Sequence, residues 1–348
     1  MCGVRSEEYI FASCAQFNSL VKINVDTGDT QLLGKFPNEP INCEYMHKNA
    51  YIIGKDIYFI PYKAANICKY NIANGLFGEI FIDRDGYDGG YIAEQIGNKI
   101  YMIPEAVGGS ILEIDTQVDK VSCVITKQQI LAAIEPMKQG MAFFRICAMD
   151  NRLFLPIKKT NKILEVEILK KKVIIHETAV DGLLGCFKGM NKIWLLGECR
   201  DKIYCWDVLS NDVKKIDFYP DYKGKKRYIN WIVDLGENVY IIPAWGTCIY
   251  RLENNQFVKM EQFQADNINL QKFYTPIEYE GEICLLPLEI NDMLLIQGDR
   301  IKQLVIKPMD ETIKLYSEVI RAYVNNSSNR LIEEGAELDL EQYINALV

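Results

Sequence analysis

Ile57-Tyr58-Phe59-Ile60-Pro61 is the clearest copy of a phrase that this chain repeats, an apolar and β-rich run that usually ends in proline. The other copies are Tyr9–Ala12, Ile100–Pro104, Leu153–Pro156, Ile193–Gly197, Val239–Pro243 and Ile283–Pro287. From Ala12 to Pro287 the chain advances 275 residues over six intervals, or about 46 residues per copy. That period lies within the range of roughly 40 to 50 residues for one blade of a β-propeller.

Each copy of the phrase has further strand-like runs on both sides. About ten residues later a second run closes on an acidic or amide turn, as at Asn24–Asp26 and Trp206-Asp207, and a third run follows. Another run precedes the phrase across a tight turn, as Trp231–Leu235 does before Gly236. Such β-branched and aromatic runs separated by Gly, Asn and Asp are typical of β-hairpins. Four antiparallel strands per repeat make one blade, so the sequence predicts an all-β propeller over residues 1–308.

The number of phrases predicts seven four-stranded blades. Residues 1–8 are short and polar, so we expect the first blade to lack its innermost strand; a six-bladed ring with one repeat misread is the alternative. Beyond Pro308 the period changes, because Ile313, Tyr316 and Ile320 fall on one helical face. We therefore predict a short α-helical tail over residues 309–348 and expect helix to be confined to it.

The repeats resemble those of the bacterial kelch-like and quinoprotein-like propellers, in which the third strand of a blade ends in a phrase such as Ile23–Gly28. The resemblance covers about residues 9–306. Trp206-Asp207 also falls where WD repeats place that dipeptide, whereas the glycine doublets of true kelch blades are absent. The resemblance implies the architecture and carries over no functional residues.

Composition narrows the classes of partner. The chain has 348 residues, of which 49% are apolar and 25% charged, as in ordinary globular proteins. With 39 basic and 47 acidic side chains its net charge is −8, which argues against nucleic acid as a partner. No apolar run reaches the roughly 18 residues of a membrane span, and Met1–Glu8 lacks the apolar core of a signal peptide. Together with an odd number of cysteines, 11, this predicts a cytoplasmic location and no membrane partner.

The residues that usually carry chemistry are sparse. The two histidines, His47 and His176, lie in different repeats, and no two cysteines have Cys-x-x-Cys spacing. No glycine-rich phosphate loop occurs, so we expect neither a metal site nor a cofactor. Asp83–Asp88 resembles a fragment of a calcium loop but lacks the later ligands, and we interpret it as an acidic turn between blades.

The candidate site lies on the propeller face where the loops after the second strands meet the connections between blades. We expect the ligand-binding residues there to be Glu105, Arg145, Glu198, Arg200, Tyr222, Arg227 and Trp245. Convergent arginines would attract carboxylate or phosphate groups. Trp245, in a short loop, would serve as a stacking platform.

These observations favour a binding or scaffolding propeller without chemistry of its own. Its partner would be a protein or a small polar ligand, a sugar or an anion. The alternative is a carbohydrate-active lyase or hydrolase that uses tyrosine and carboxylates at the mouth of the propeller channel. Those carboxylates would be Glu44, Glu105, Glu198 and Glu289.

Overall fold

A computed structural model describes residues 2–106, 108–134, 142–198, 202–219, 229–245, 248–260, 273–288 and 292–307, together with Lys314. Its strands form seven antiparallel four-stranded sheets, in each of which the spatial order of the strands follows their order in the sequence. The fold is a seven-bladed β-propeller, as the repeat predicts. The predicted tail, 309–348, lies outside the described residues except for Lys314.

The described residues divide into two compact units, and the first contains blades 1, 2 and 7 apart from Ile80 and Gly298–Arg300. Its strands are β1 (Cys2–Ser6), β2 (Tyr9–Ser13), β3 (Leu20–Asn24) and β4 (Thr30–Gly34) in blade 1; β5 (His47–Ile53), β6 (Asp56–Pro61), β7 (Ile67–Asn71) and β8 (Phe77–Ile80) in blade 2; and β25 (Ile277–Tyr279), β26 (Glu282–Leu285), β27 (Asp292–Gln297) and β28 (Arg300–Val305) in blade 7.

The second unit contains blades 3 to 6 and one helix. Its elements are β9 (Tyr91–Ile96), β10 (Lys99–Pro104), β11 (Ile111–Asp115), β12 (Lys120–Ile125) and α1 (Lys127–Ile134) in blade 3; β13 (Cys147–Met149), β14 (Arg152–Pro156), β15 (Lys162–Glu167) and β16 (Lys172–Glu177) in blade 4; β17 (Gly185–Lys188), β18 (Ile193–Leu196), β19 (Lys202–Trp206) and β20 (Val213–Asp217) in blade 5; and β21 (Ile229–Asp234), β22 (Val239–Pro243), β23 (Tyr250–Glu253) and β24 (Gln256–Lys259) in blade 6.

The repeated phrase forms the second strand of every blade, and its side chains supply the cores on both sides of that blade. In β14, Leu153 and Leu155 join the core shared by blades 3 and 4, whereas Phe154 joins the core shared by blades 4 and 5. Successive side chains of a strand point to opposite faces of the sheet. Because both faces are covered, the phrase is continuously apolar instead of alternating.

The prediction of an incomplete first blade is wrong, and so is the six-bladed alternative. Cys2–Ser6 pairs with Tyr9–Ser13 over five residues, and Cys2 is buried. The hairpin turns at Glu7, whose φ of 53° lies in the left-handed region. A polar segment can complete a blade because strand pairing is made by backbone groups, which every residue type except proline supplies in full.

The prediction that helix is confined to the tail is also wrong, because α1 follows the outermost strand of blade 3. Its first turn is closed by a capping box: the Gln129 Nα–H donates to the Thr126 hydroxyl at 3.3 Å, and the Thr126 Nα–H donates to Gln129 Oε1 at 2.9 Å. Ile130 and Ile134, four residues apart, are buried in the core of blades 3 and 4. A helix of eight residues is too short for its period to show in a sequence scan.

Blade 7 is fastened to blade 1 by the segment that leaves β28. Lys307 forms a parallel bridge with Asp29: its Nα–H donates to the Gly28 carbonyl at 2.8 Å, and its carbonyl accepts from the Thr30 Nα–H at 3.1 Å. The guanidinium of Arg5, on the first strand of blade 1, also donates at 2.6 Å to Glu282 Oε1, on the second strand of blade 7. Both contacts link residues more than 270 positions apart, so the first and seventh blades stabilise each other.

Blade 4 contains a cluster of charged and polar side chains around a buried carboxylate. The Glu165 carboxylate is 3% exposed, lies 2.5 Å from His176 Nε2 and accepts from the Arg152 guanidinium at 3.3 Å. Burial acts to raise the pKa of Glu165, but the hydrogen bonds and charges of His176 and Arg152 outweigh it, and the pKa is lowered. The cluster joins the three outer strands of the blade by side chains as well as by backbone pairing.

We expect Glu165→Gln to destabilise the protein by about 1–3 kcal/mol at pH 7, because His176 and Arg152 lose their ionised partner. The lowered pKa means that this contribution is present above the unfolded-state value of about 4.3 and is lost as the pH falls through the folded-state value. Urea unfolding at several pH values should therefore show the two proteins converging in acid. Glu167→Gln on the same strand, which removes a surface pair with Lys170, is the control and should cost less than about 1 kcal/mol. Equal losses in both variants would contradict the prediction.

Candidate functional site

The described members of the predicted site lie at one end of the blades in the second unit. Glu105, Glu198 and Trp245 follow the second strands of blades 3, 5 and 6, and Arg145 precedes the first strand of blade 4. In an antiparallel pair, the end of the second strand lies beside the start of the first. The pairing of Pro104 with Tyr91 in blade 3 shows this arrangement.

Backbone hydrogen bonds join the loops of blades 3, 4 and 5 at this end. They run from Phe143 N to the Glu105 carbonyl at 2.8 Å, from Lys158 N to the Ala142 carbonyl at 3.0 Å and from Lys159 N to the Leu183 carbonyl at 2.9 Å. Because each bond connects a different pair of loops, the loops form one continuous edge. Side chains carried by this edge are consequently held in fixed relative positions.

Arg145 is the most strongly positioned side chain of the candidate site. Its guanidinium carbon lies 3.7 Å from the centroid of the Trp231 ring, and its Nη2–H donates to Asn230 Oδ1. Its carbonyl accepts from the Cys186 Nα–H at 2.8 Å, and its φ is 48°. An arginine stacked on an indole face gains a cation–π interaction, and the rigid, planar guanidinium is held in one orientation. The result is a half-buried, preorganised cation between blades 4, 5 and 6.

Gly185 makes this position of Arg145 possible. A Cβ at Gly185 would lie 2.8 Å from Arg145 Cβ, closer than real Cβ contacts allow. Glycine at the start of β17 therefore lets the backbone of blade 5 approach the arginine of blade 4.

A second aromatic ring adds to the site. The Phe144 ring lies 4.9 Å from the Arg145 guanidinium carbon and 5.3 Å from Lys158 Nζ. We call Phe144, Arg145, Lys158, Asn230 and Trp231 the Arg145 cluster. It offers two cations and two aromatic surfaces, and the buried Nε1–H of Trp231 has no hydrogen-bond acceptor among the described residues. Such a combination suits a ligand with a carboxylate and an apolar part.

Glu105 belongs to a separate, neighbouring group. The Tyr87 hydroxyl donates to the Gly90 carbonyl at 3.0 Å and accepts from the Ala106 Nα–H at 3.3 Å. Burial, with a smaller contribution from the Glu105 charge, raises the pKa of Tyr87. The Asp83–Asp88 loop is closed by Arg84, which donates to the Gly89 carbonyl at 3.1 Å. Throughout the described ranges, no three His, Cys, Asp or Glu side chains gather closely enough to hold a metal ion.

The remaining predicted residues contribute less to the described site. Glu198 is exposed and packs against Gly182, and Trp245 is half-buried in the loop after β22. Arg200, Tyr222, Arg227 and the Glu289 of the alternative hypothesis lie outside the described residues. Sequence reasoning missed Phe144 and Trp231, because the repeat identifies the first only as a connection residue and the second only as a strand residue. The available signal was that each aromatic residue stands next to a polar residue, Arg145 or Asn230, near the start of a blade's first strand.

The two histidines occupy different environments. His47 is buried at the start of β5, where its Nδ1 lies 2.8 Å from the Ser13 hydroxyl and its ring packs edge-on against Phe36. Burial lowers the pKa of His47 to about 3, so the ring is neutral at ordinary pH. His176 lies in the Glu165 cluster on the outermost strand of blade 4. Neither histidine contacts the Arg145 cluster in the contacts that the structure describes.

Comparison with known proteins identifies the architecture. No protein-family model matches the chain, and no curated relative matches it. YCF48 from Cyanidioschyzon merolae is 10% identical, covers 86% of this chain and 96% of its own, and superposes with a TM-score of 0.66. YCF48 bound to D1 peptide is 9% identical, with coverages of 88% and 92% and a TM-score of 0.61. The computationally designed Ika8 protein is 11% identical, with coverages of 88% and 95% and a TM-score of 0.54. The likeness is one of fold alone.

Three more specific expectations from the sequence go beyond the fold and remain predictions. They are the kelch-like or quinoprotein-like subtype, the cytoplasmic location and a sugar or anion as ligand. Within the part of the chain that the structure describes, no helix combines the length and apolar character that crossing a membrane requires.

Proposed function

We propose that this propeller is a binding module without chemistry of its own, and that it docks a peptide segment bearing a carboxylate on the Arg145 cluster. The observation that carries the proposal is the guanidinium of Arg145, stacked on Trp231 at 3.7 Å and oriented by Asn230. A cation already fixed in its binding geometry loses little conformational freedom when a carboxylate arrives. The aromatic rings beside it would contact the apolar part of the same segment.

Propellers of similar architecture support a protein or peptide as the ligand. One of them is bound to a peptide in its structure, and another is a component of the mitotic checkpoint complex. At 9% and 8% identity these cases carry no residue over to this chain. They support a protein or a peptide, in preference to a small molecule, as what this propeller binds.

The carbohydrate-active alternative is not favoured by the position of its carboxylates. Glu105 follows the second strand of blade 3 and Glu198 that of blade 5, so blade 4 stands between them. Glycoside hydrolysis requires two carboxyl groups about 5 to 10 Å apart across one bond. Glu105 lies beside Tyr87, whereas Glu198 is exposed against Gly182.

We expect Arg145→Gln to weaken the binding of a selected peptide roughly ten- to hundredfold, because a hydrogen bond to a charged group contributes about 1.5–3 kcal/mol. Peptides would be selected from a random displayed library on the full chain, and the affinity of the synthesised peptide measured by fluorescence anisotropy. Lys192→Gln is the matched control, since Lys192 Nζ also lies over an indole, 4.5 Å from the Trp194 ring, but in the turn at the far end of blade 5.

Three outcomes would count against the proposal. They are the absence of any enriched peptide, equal binding by wild type and Arg145→Gln, or equal loss in Lys192→Gln. A parallel screen on immobilised glycans tests the sugar-binding hypothesis. If the protein bound a glycan and no peptide, the proposed peptide ligand would be wrong and a sugar would be the ligand. Enriched peptides should carry Asp, Glu or a free carboxyl terminus, and a selection without carboxylates would contradict the role of Arg145.

A further inference from the structure

Two buried thiols lie in contact between blades 4 and 5. Cys147 Sγ and Cys186 Sγ are 3.4 Å apart, on the first strands of their blades, and the two cysteines are 3% and 0% exposed. The strands β13 and β17 that carry them pack side by side in the second unit. A pair of sulphur atoms at this separation needs an approach of only about 1.4 Å to reach the bond length of a disulfide.

The hydrogen bonds of the pair keep both sulphurs in place. The Cys147 thiol donates to Cys186 Sγ, and the Cys186 thiol donates to the Phe154 carbonyl at 3.1 Å. Burial raises the pKa of Cys147 well above its usual value, so this thiol is protonated at rest. Rotation about χ1 moves a sulphur without moving the strand that carries it.

We propose that Cys147 and Cys186 form a redox modification site that a hydroperoxide closes into a disulfide across blades 4 and 5. In the first step one sulphur, after losing its proton, attacks the distal oxygen of the peroxide; the O–O bond breaks, and a sulfenic acid and water or an alcohol form. In the second step the other sulphur attacks the sulfenic sulphur, the S–S bond forms, and water leaves. Overall, two thiols lose two electrons and two protons, and one peroxide is reduced.

The position of the pair gives the modification a structural consequence. Arg145 precedes Cys147 by two residues, and the Cys186 Nα–H donates to the Arg145 carbonyl at 2.8 Å. The disulfide would thus cross-link β17 to β13, the strand that begins two residues after Arg145. This inference does not depend on the proposed peptide binding, and its test uses no ligand.

The experiment exposes the full chain to hydrogen peroxide and maps the linkage without reduction. Trypsin should release residues 146–152 and 173–188, which contain Cys147 and Cys186. Mass spectrometry is expected to find these two peptides linked, with the link lost after dithiothreitol. The oxidised protein should also melt at a higher temperature than the reduced protein, because the cross-link restricts the unfolded chain.

Matched variants and a second probe decide the result. The linked peptide should be absent from Cys147→Ala and retained in Cys284→Ala, which removes a buried cysteine that lies beside Arg5 instead of another thiol. Phenylarsine oxide, which joins two adjacent thiols with loss of water and no oxidation, should bridge the same two peptides. Linkage of Cys147 or Cys186 mainly to other cysteines would overturn the proposal. So would the absence of a link with peroxide, whether or not the arsenical bridges the pair.

Discussion

Ile241→Asp is expected to cost at least about 5 kcal/mol, enough to remove most of the stability of an ordinary domain. Ile241 is fully buried in β22, within the core shared by blades 5 and 6. The substitution deletes apolar contacts and places a carboxyl group where no water or cation balances it. Because β22 is a second strand, covered on both faces, the charge cannot escape by turning to the other side of the sheet.

The measurement is the urea midpoint of unfolding, or the soluble yield if the variant does not fold. Ile241→Val is the control and should cost only about 1 kcal/mol, since it removes one methylene group at the same site. If Ile241→Asp and Ile241→Val melted within a few degrees of each other, the strand would have to lie at the surface, and the packing of the second strands described above would be wrong.

Gly28→Ala should destabilise the protein by about 2–4 kcal/mol. Gly28 has a φ of 74°, and an added Cβ would lie 2.1 Å from the Val305 carbonyl oxygen, which belongs to the backbone and cannot move aside alone. The left-handed conformation costs an alanine about 1 kcal/mol, and overpacking typically adds about 1–3 kcal/mol. The clash falls where the segment after β28 pairs with blade 1.

Gly75→Ala is a closely matched control, because blade 2 repeats the same turn. Gly75 has a φ of 72°, and its Nα–H donates to the Asn71 carbonyl at 2.9 Å just as that of Gly28 does to Asn24. Its added Cβ would meet only the Tyr70 hydroxyl, at 3.8 Å. Gly75→Ala should consequently lose only the roughly 1 kcal/mol of backbone strain. Thermal unfolding of the two variants separates the backbone strain from the clash with the Val305 carbonyl. Equal losses of stability would show that this clash does not destabilise the protein.

Much of the architecture could be predicted because its signals lie within a single repeat and the repeat occurs seven times. A second strand that is covered on both faces must be apolar along its whole length, so Ile57–Pro61 and Val239–Pro243 carry a strong signal in any one repeat. The turn residues are equally local, since Asn24 and Asn71 accept hydrogen bonds from the backbone two and three residues later. Seven copies at an even period then determine the number of blades.

The two wrong predictions concern segments that are stabilised by residues distant in the sequence or by backbone groups. Cys2–Ser6 has no apolar pattern, yet it pairs through backbone groups with Tyr9–Ser13 and packs beside β5 and β25. Helix α1 depends on a capping box at Thr126 and on two isoleucines that need the core of blades 3 and 4. In both cases, the local sequence is compatible with several structures, and tertiary packing selects one of them.

The amino-acid sequence alone identifies the repeat, the strands that build each core and the end of the blades on which the loops gather. Each of these follows from apolar runs and turn residues that recur within some 46 residues. Which of those loop residues meet depends on how the blades pack in three dimensions. Arg145 of blade 4 lies 85 positions before Asn230 and 86 before Trp231, which both belong to blade 6. They come together because Gly185 of the intervening blade 5 allows Arg145 a close approach. No periodicity encodes such a contact, since it depends on how neighbouring blades pack and not on the pattern within any one of them.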